Sequence, residues 1–186
     1  MRIVGGSFKR RIISPPKSLP VRPTTDLAKE SLFNILGNII NLNDKTVADL
    51  FSGTGNIAYE FVSRGAEKVL AVEQHFACVK FIRQTAQDFE MNQLTVIQSD
   101  VFRFLKTGTQ VYDVIFADPP YALDNIPEIR QLVFEYKRLK PNGWLIIEHP
   151  KSVNFSESPY FHSLRKYGKV NFSFFHYTEV AETSHE

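Results

Sequence analysis

The sequence predicts an α/β fold in which helices alternate with the strands of a largely parallel sheet. From residue 46 onward, short apolar runs alternate with segments whose apolar residues recur at helical spacing, which is the pattern of consecutive βαβ units. The runs are continuously apolar, as expected when helices cover both faces of the sheet. With 186 residues, the chain is long enough for one domain with a sizeable core.

Residues 1–23 precede this pattern and are expected to form a small basic β-hairpin or arm. Two short strands are predicted at 2–4 and 11–13, on either side of a turn at Gly5-Gly6. No acidic residue stands between positions 1 and 25, whereas the net charge of the whole chain is only +2. The basic residues of this stretch are Arg2, Lys9, Arg10, Arg11, Lys17 and Arg22. The asymmetry suggests a polyanionic partner, although a solvated basic tail has the same composition.

A helix is predicted to follow the prolines that end the basic segment. Thr24, Thr25 or Asp26 can cap it, and Ala28 and Leu32 begin a set of apolar residues at helical spacing. The strands of the repeated pattern are expected at 46–51, 68–73, 95–98, 112–117 and 144–147. Its helices are expected at 56–64, 76–90, 101–105 and 127–139. The end of the chain predicts an antiparallel hairpin at 161–167 and 169–177, followed by a polar tail at 181–186.

Cysteine and histidine usage and the distribution of apolar residues exclude several classes of protein. The single cysteine, Cys78, cannot form an internal disulfide, and the five histidines show no metal-ligand spacing. No apolar run approaches the ~18 residues of a membrane helix, and the first residues contain no apolar signal segment. We therefore expect a cytoplasmic protein with no metal and no membrane partner. A monomer is expected because the sequence indicates no interface.

A glycine-rich turn follows the first predicted strand. Gly53-x-Gly55-x-x-Ala58 stands at the strand-to-helix junction, where glycines let the backbone approach a ligand closely. Glu73 ends the second predicted strand, and an acid there can accept hydrogen bonds from the ribose hydroxyls of NAD or of S-adenosylmethionine. The motif by itself therefore predicts an adenosine-containing cofactor, with a purely structural tight turn as the alternative.

Two acidic positions favour S-adenosyl-L-methionine over NAD. Asp49 stands beside the glycines, where its charge would repel a pyrophosphate but can pair with the methionine ammonium. After the third strand, Asp100 can accept a hydrogen bond from the adenine amino group while Val101 and Phe102 pack on the ring. Asp100 is equally suited to cap the following helix. The expected cofactor-binding residues are Asp49, Phe51, Gly53, Gly55, Asn56, Glu73, Asp100, Val101 and Phe102.

The tetrapeptide Asp118-Pro119-Pro120-Tyr121 is the most specific motif of the chain, and these four residues form the expected catalytic site. It directly follows an apolar strand, and open α/β sheets bind ligands beyond the carboxyl ends of their strands. The prolines stiffen the loop and remove two backbone donors. The Asp118 carboxylate and the Pro119 carbonyl can then accept hydrogen bonds from the exocyclic amino group of a nucleobase. Asp118 can accept the proton lost on methylation, and Tyr121 can stack on the base. A proline-rich turn with a capping aspartate is the alternative.

Over nearly its whole length the chain resembles the small, single-domain bacterial 16S ribosomal RNA guanine-N2 methyltransferases. The matching segments are 1–6, 9–11, 22–26, 30–36, 49–55, 63–66 and 118–121. The resemblance implies a Rossmann-like class I methyltransferase domain at 24–180, with a seven-stranded sheet that ends in an antiparallel hairpin. It implies that S-adenosylmethionine is bound by Asp49, Gly53, Gly55 and Glu73, and that 118–121 holds the guanine. It also implies that the N-terminal hairpin grips 16S rRNA within an assembling small ribosomal subunit, through Arg2, Lys9, Arg10, Arg11 and Arg22.

Other functions remain open at this stage. The motifs also suit a DNA or other nucleic-acid methyltransferase acting on adenine N6 or cytosine N4, although 186 residues leave no room for a separate target-recognition domain. A non-catalytic RNA-binding assembly factor and an NAD-dependent oxidoreductase are further alternatives. Tyr59 departs from the small residues common in the family at this point, and it could pack in the core or reshape the edge of the cofactor pocket. His149 is considered as a substrate contact.

Overall fold

A computed structural model of the protein describes residues 1–20 and 25–178. Arg22 and the predicted polar tail lie outside the described residues. The helices are α1 (Asp26–Ile39), α2 (Asn56–Ser63), α3 (Phe76–Asp88), α4 (Val101–Thr107) and α5 (Ile126–Glu135). The strands are β1 (Thr46–Leu50), β2 (Lys68–Glu73), β3 (Leu94–Gln98), β4 (Tyr112–Ala117), β5 (Leu139–His149), β6 (Phe161–Tyr167) and β7 (Val170–His176). In this part of the chain, no helix is long and apolar enough to cross a membrane.

The strands form one sheet in the order β3-β2-β1-β4-β5-β7-β6, which confirms the predicted α/β fold. β1 to β5 are parallel, and β7 runs antiparallel to both β5 and β6. Alternate residues of the central strands enter two different cores. Val47 packs with α1, α2 and α3, whereas Ala48 and Leu50 pack with α4 and α5. The continuously apolar strands are therefore explained by helices on both faces.

The prediction of two strands in the N-terminal segment is wrong in extent, because a single bridge between Arg2 and Ile12 joins them. The Arg10 amide also donates to the Ile3 carbonyl at 2.9 Å, while other parts of the intervening backbone bond to α2. The Val4 amide donates to Glu60 Oε2 at 2.9 Å, and the Phe8 amide donates to Ser63 Oγ at 2.9 Å. Ile3 and Ile13 are buried in the same core as α1 and α2, so the basic segment packs on the domain.

A second correction concerns the region between α5 and β5. The predicted helix at 127–139 ends at Glu135, and the predicted strand at 144–147 is part of a strand that begins at Leu139. Lys137 takes a left-handed conformation, with a φ of 49°, which ends the helix early. The Tyr112 amide then donates to the Arg138 carbonyl at 2.9 Å and brings the chain into the sheet.

Candidate active site

The order of the parallel strands reverses on either side of β1, and a cavity of about 630 Å³ opens at the carboxyl ends of the strands there. Ligands of open α/β sheets bind at such a switch point. Residues from β1, β2, β4 and β5, and from the turns that follow them, line the cavity. Of the predicted site residues, it collects Asp49, Phe51, Gly53, Asn56, Glu73, Val101, Asp118, Pro119, Pro120 and Tyr121. The two sequence motifs therefore meet in one cavity.

The glycine-rich turn bends sharply between β1 and α2. Phe51, Gly53 and Gly55 all have positive φ angles, of 59°, 55° and 80°. A Cβ atom at Gly55 would lie 2.7 Å from Cζ of Tyr59. Gly55 is not among the lining residues, and Tyr59 is fully buried beneath the turn, so Tyr59 packs in the core and does not form the pocket edge.

Asp49 lies at the bottom of the cavity and is 1% exposed. Its Oδ2 atom has no hydrogen-bond partner within the described part of the chain. Burial raises the pKa of its carboxyl group to about 8. A buried carboxylate of this kind is stabilised by a cationic ligand group placed beside it.

Glu73 fastens the glycine turn to the end of β2. Its Oε2 atom accepts from the Gly53 amide, and its Oε1 atom accepts from the His75 amide, each at 2.8 Å. A carboxylate has about four acceptor positions, so two remain for ligand hydroxyl groups. Glu73 therefore holds the turn in shape and can still bind a ribose.

Asp100 caps α4, because its Oδ1 atom accepts from the Arg103 amide at 2.9 Å. This contact establishes the capping role that the sequence left open. Val101 lines the cavity, whereas Asp100 and Phe102 are not among the lining residues. Phe102 instead contacts the lining residue Phe51 edge-on, with ring centroids 6.3 Å apart.

All four residues of the Asp118–Tyr121 tetrapeptide line the cavity. The Asp118 amide donates to the Leu50 carbonyl at 3.3 Å, which joins the ends of β4 and β1. The Tyr121 side chain is 45% exposed, and its hydroxyl donates to Glu148 Oε1 at 3.0 Å. A partly exposed aromatic ring and the Asp118 side chain therefore line the same cavity.

Glu148 lines the cavity and was missed in the sequence, where the adjacent His149 was chosen instead. His149 is 1% exposed and turned away from the cavity. Its Nδ1 donates to the Pro150 carbonyl at 2.9 Å, and its Nε2 accepts from Ser173 Oγ at 2.8 Å. Because successive strand residues face opposite sides, the end of β5 offers only one of the two to the cavity. Residues 144–149 are buried on both faces of the sheet, so the sequence contains no apolar–polar alternation that would separate the two positions.

The basic side chains of the N-terminal segment have different surroundings. Arg2 pairs with Asp26 at 3.4 Å, and the Arg11 guanidinium lies 5.0 Å from the ring centroids of both Phe8 and Phe89. Lys9 and Arg10 are exposed. The segment also reaches the cavity wall, because the hydroxyl of the lining residue Thr54 donates to the Met1 sulfur at 3.3 Å.

A buried lysine also joins the same segment to Asn56, which lines the cavity. Lys29 of α1 is fully buried, and its Nζ donates to the Arg2 carbonyl at 2.6 Å and to Asn56 Oδ1 at 2.7 Å. Glu60 Oε2 lies 3.5 Å from the same ammonium group. Burial lowers the pKa of Lys29, and Glu60 opposes that shift. Asn56 lines the cavity, so its side chain is positioned by the contact with Lys29.

Comparison with known proteins gives a family and a set of structural neighbours. The family model described as conserved hypothetical protein 95 matches residues 1–176. Ribosomal RNA small subunit methyltransferase D of Haemophilus influenzae is 31% identical over 155 residues, which cover 81% of this chain and 79% of the relative. Its counterpart in Escherichia coli is 30% identical over 148 residues, which cover 80% of this chain and 71% of the relative.

Among solved structures, an RNA methyltransferase from Salinibacter ruber in complex with S-adenosyl-L-homocysteine superposes with a TM-score of 0.66. It is 16% identical and covers 89% of this chain and 100% of its own, so the likeness is one of fold. The family match spans almost the entire described chain, and the resemblance that the motifs indicated is confirmed. The protein belongs to the conserved hypothetical protein 95 family, together with these small-subunit ribosomal RNA methyltransferases.

Proposed function

We propose that this protein transfers a methyl group from S-adenosylmethionine to the exocyclic N2 amino group of a guanine in 16S rRNA. One observation carries the proposal: a single cavity holds both Asp49 and the Asp118–Tyr121 tetrapeptide. Asp49 is buried, and one of its carboxylate oxygens has no partner among the residues that the structure describes. The relatives named ribosomal RNA small subunit methyltransferase D support the choice of small-subunit rRNA as the substrate.

The lining residues fit S-adenosylmethionine better than NAD. The unpaired Oδ2 of Asp49 suits a cationic ammonium group and would repel a pyrophosphate. Glu73 retains acceptor positions for ribose hydroxyls, and Phe51 and Val101 offer apolar surface to the adenine. When bound, S-adenosylmethionine supplies an electrophilic methyl group on a positively charged sulfur.

The tetrapeptide holds the amino group and receives its proton. The nitrogen of guanine N2 is a poor nucleophile because its lone pair is delocalised into the ring. Asp118 and the Pro119 carbonyl accept its two N–H groups and orient the lone pair, so positioning supplies much of the catalysis. The Asp118 carboxylate then takes the proton that the methylated nitrogen loses. The exposed ring of Tyr121 stacks on the base, which is flipped out or already unpaired.

RNA contacts from the N-terminal segment supply affinity outside the cavity. Lys9 and Arg10 are exposed on a segment that packs on α2 and reaches the cavity wall at Thr54. Phosphate contacts position a protein on a nucleic acid without reading its sequence. Arg2, Arg11 and Arg22 belong to the same proposed footprint, and an assembling small subunit is the proposed substrate particle.

Replacing Asp118 tests the reaction. Asp118→Ala is expected to lower methyl transfer by about 10²–10⁴-fold, the usual contribution of a positioned acid–base group, while the Kd for S-adenosylmethionine stays unchanged. The matched control is Asp124→Ala, because Asp124 is exposed in the same loop and does not line the cavity. Near wild-type transfer by Asp118→Ala would remove this residue from the mechanism.

A further inference from the structure

The carboxylate of Glu148 occupies a position that the reaction described above does not use. Glu148 is 7% exposed and lines the cavity at the end of β5. Ala117 pairs with Ile147 in the β4–β5 register, so Asp118 and Glu148 follow paired residues at neighbouring strand ends. The two carboxylates therefore border the same half of the cavity.

The two oxygens of Glu148 have different surroundings. Oε1 accepts a hydrogen bond from the Tyr121 hydroxyl at 3.0 Å. Oε2 has no hydrogen-bond partner among residues 1–20 and 25–178, and no ion pair involving Glu148 forms within those residues. A buried acid without a counter-charge costs stability, and a ligand that supplies the missing donor would offset that cost. Tyr121 fixes the carboxylate and leaves one oxygen for that donor.

Guanine offers such a donor beside the reacting group. Its N1–H lies next to the N2 amino group on the same edge of the base. Adenine and cytosine carry a lone pair, instead of N–H, on the ring nitrogen beside their amino groups. A flipped base is commonly recognised by hydrogen bonds to this edge. A carboxylate oxygen beside the amino-binding site therefore attracts guanine and repels the other two bases.

We infer that Glu148 determines the base specificity of the protein by accepting the N1–H of the target guanine, while Asp118 holds its N2 amino group. The inference rests on the proposed function, since it concerns the same base in the same cavity. Tyr121 then has two contributions, one through its ring on the base and one through its hydroxyl on Glu148. The Glu148 side chain thereby selects guanine among the bases that carry an exocyclic amino group.

The test compares guanine with 2-aminopurine, which keeps the N2 amino group but has a lone pair at N1. The methylated position is first mapped with the wild-type protein on unmodified small-subunit particles. Particles are then rebuilt from ligated RNA that carries guanine or 2-aminopurine at that position. The wild-type protein is expected to prefer guanine by at least about 10²-fold in kcat/KM, because a site built for a donor rejects an analogue that lacks it.

Glu148→Gln is the discriminating variant, because its amide oxygen can still accept from Tyr121 while its NH₂ group replaces the Oε2 acceptor. We expect the ratio of kcat/KM for guanine over 2-aminopurine to fall at least tenfold, with the Kd for S-adenosylmethionine unchanged. Glu67→Gln, an exposed glutamate at the amino end of β2, is the control and should keep the wild-type ratio.

The outcomes separate the two proposals. If the wild-type protein binds the cofactor but methylates no guanine, the proposed function fails, and the role of Glu148 fails with it. If the wild-type protein methylates guanine and 2-aminopurine equally, only the role of Glu148 is overturned, whether or not the variant folds. The role of Glu148 in base specificity is also overturned if Glu148→Gln lowers transfer to both bases by one common factor. In that case Glu148 would act only by positioning Tyr121.

Discussion

At the scale of single residues, the cavity is defined by acidic side chains whose burial costs free energy of folding. Asp49 and Glu148 are each more than nine-tenths buried, and each has one oxygen without a partner in the described part of the chain. Glu73, in contrast, uses both oxygens to hold backbone amides. The unpaired acids are the ones for which ligand groups are proposed, the methionine ammonium for Asp49 and the guanine N1–H for Glu148.

Because burying the Asp49 carboxylate costs free energy of folding, we expect this residue to lower the stability of the fold while it contributes to cofactor binding. Burial raises the pKa of the Asp49 carboxyl group from 3.8 to about 8, so unfolding releases a proton at any pH between these two values. Stability of the wild-type protein therefore falls as the pH rises from about 4 to about 8, relative to a variant with no charge there. Asp49→Asn removes the free-energy cost of burying the charge. At pH 8 the Tm should rise by about 2–4 °C for each kcal/mol of that cost, and at pH 4.5 the rise should be much smaller. The variant should also lose the stabilisation that S-adenosylmethionine gives.

Thermal unfolding at the two pH values measures the effect, and Asp124→Asn, at an exposed position, is the control. An Asp49→Asn variant that is no more stable than the wild-type protein at pH 8, and that binds the cofactor normally, would contradict both roles of Asp49.

Sequence reasoning found most of the acids and failed at one position for a geometrical reason. Asp49 and Asp118 precede glycine and proline motifs whose chemistry is local, and Glu73 ends the strand after the glycine turn. The choice between Glu148 and His149 depends on which face of β5 each side chain occupies, and that is set by pairing with β4. The predicted strand covers only 144–147 and ends before the two residues. It therefore does not indicate which face of the sheet each side chain occupies.

At the scale of elements, the glycine turn is shaped by what lies beneath it. Tyr59 fills the space under Gly55, so the turn has no room for a side chain there. The sequence predicted the turn correctly but left the place of Tyr59 open, because packing beneath a turn is not a local property. The same limit explains the N-terminal segment, part of whose backbone bonds to α2 while the rest pairs across the segment itself.

Two glycine substitutions separate the requirement for this turn from general backbone effects. At Gly55, with a φ of 80° and a Cβ contact of 2.7 Å, Gly55→Ala should destabilise the fold by about 1–3 kcal/mol and weaken cofactor binding. Gly37 lies within α1 with nothing within 4 Å, so Gly37→Ala should stabilise the protein by about 0.5–1 kcal/mol. Urea unfolding measures both. A Gly55→Ala variant as stable as the wild-type protein would show that the turn can take another path.

At the scale of the whole molecule, parallel strands bring distant motifs to one edge. The glycine turn and the tetrapeptide follow β1 and β4, and Glu73 and Glu148 stand at the carboxyl ends of β2 and β5. These four strands are neighbours in the sheet. The alternation of strands and helices is readable from the sequence, and carboxyl ends of parallel strands share an edge in any strand order. The order itself depends on long-range pairing, and so do the sizes of the two cores, which explains why these features needed the structure.

The basic segment predicts a salt effect that distinguishes an RNA footprint from a solvated tail. Replacing exposed Lys9 and Arg10 with Gln should weaken RNA binding and reduce the slope of log K against log salt by about 1–2, since each phosphate contact contributes roughly 0.7–0.9. Arg11 is left in place because its guanidinium packs on Phe8 and Phe89. Arg103 of α4 and Lys137 after α5, both exposed, are the matched control pair. An unchanged slope would place the footprint elsewhere.

Transfer of a labelled methyl group from S-adenosylmethionine, followed by nucleoside analysis, decides whether the cavity performs the proposed reaction. Unmodified small-subunit particles, naked 16S rRNA and duplex DNA are supplied separately to the wild-type protein. We expect N2-methylguanosine from a ribosomal substrate and no label in DNA. Methylated adenine or cytosine in DNA, or no transfer to any substrate while the cofactor is bound, would contradict the proposed function.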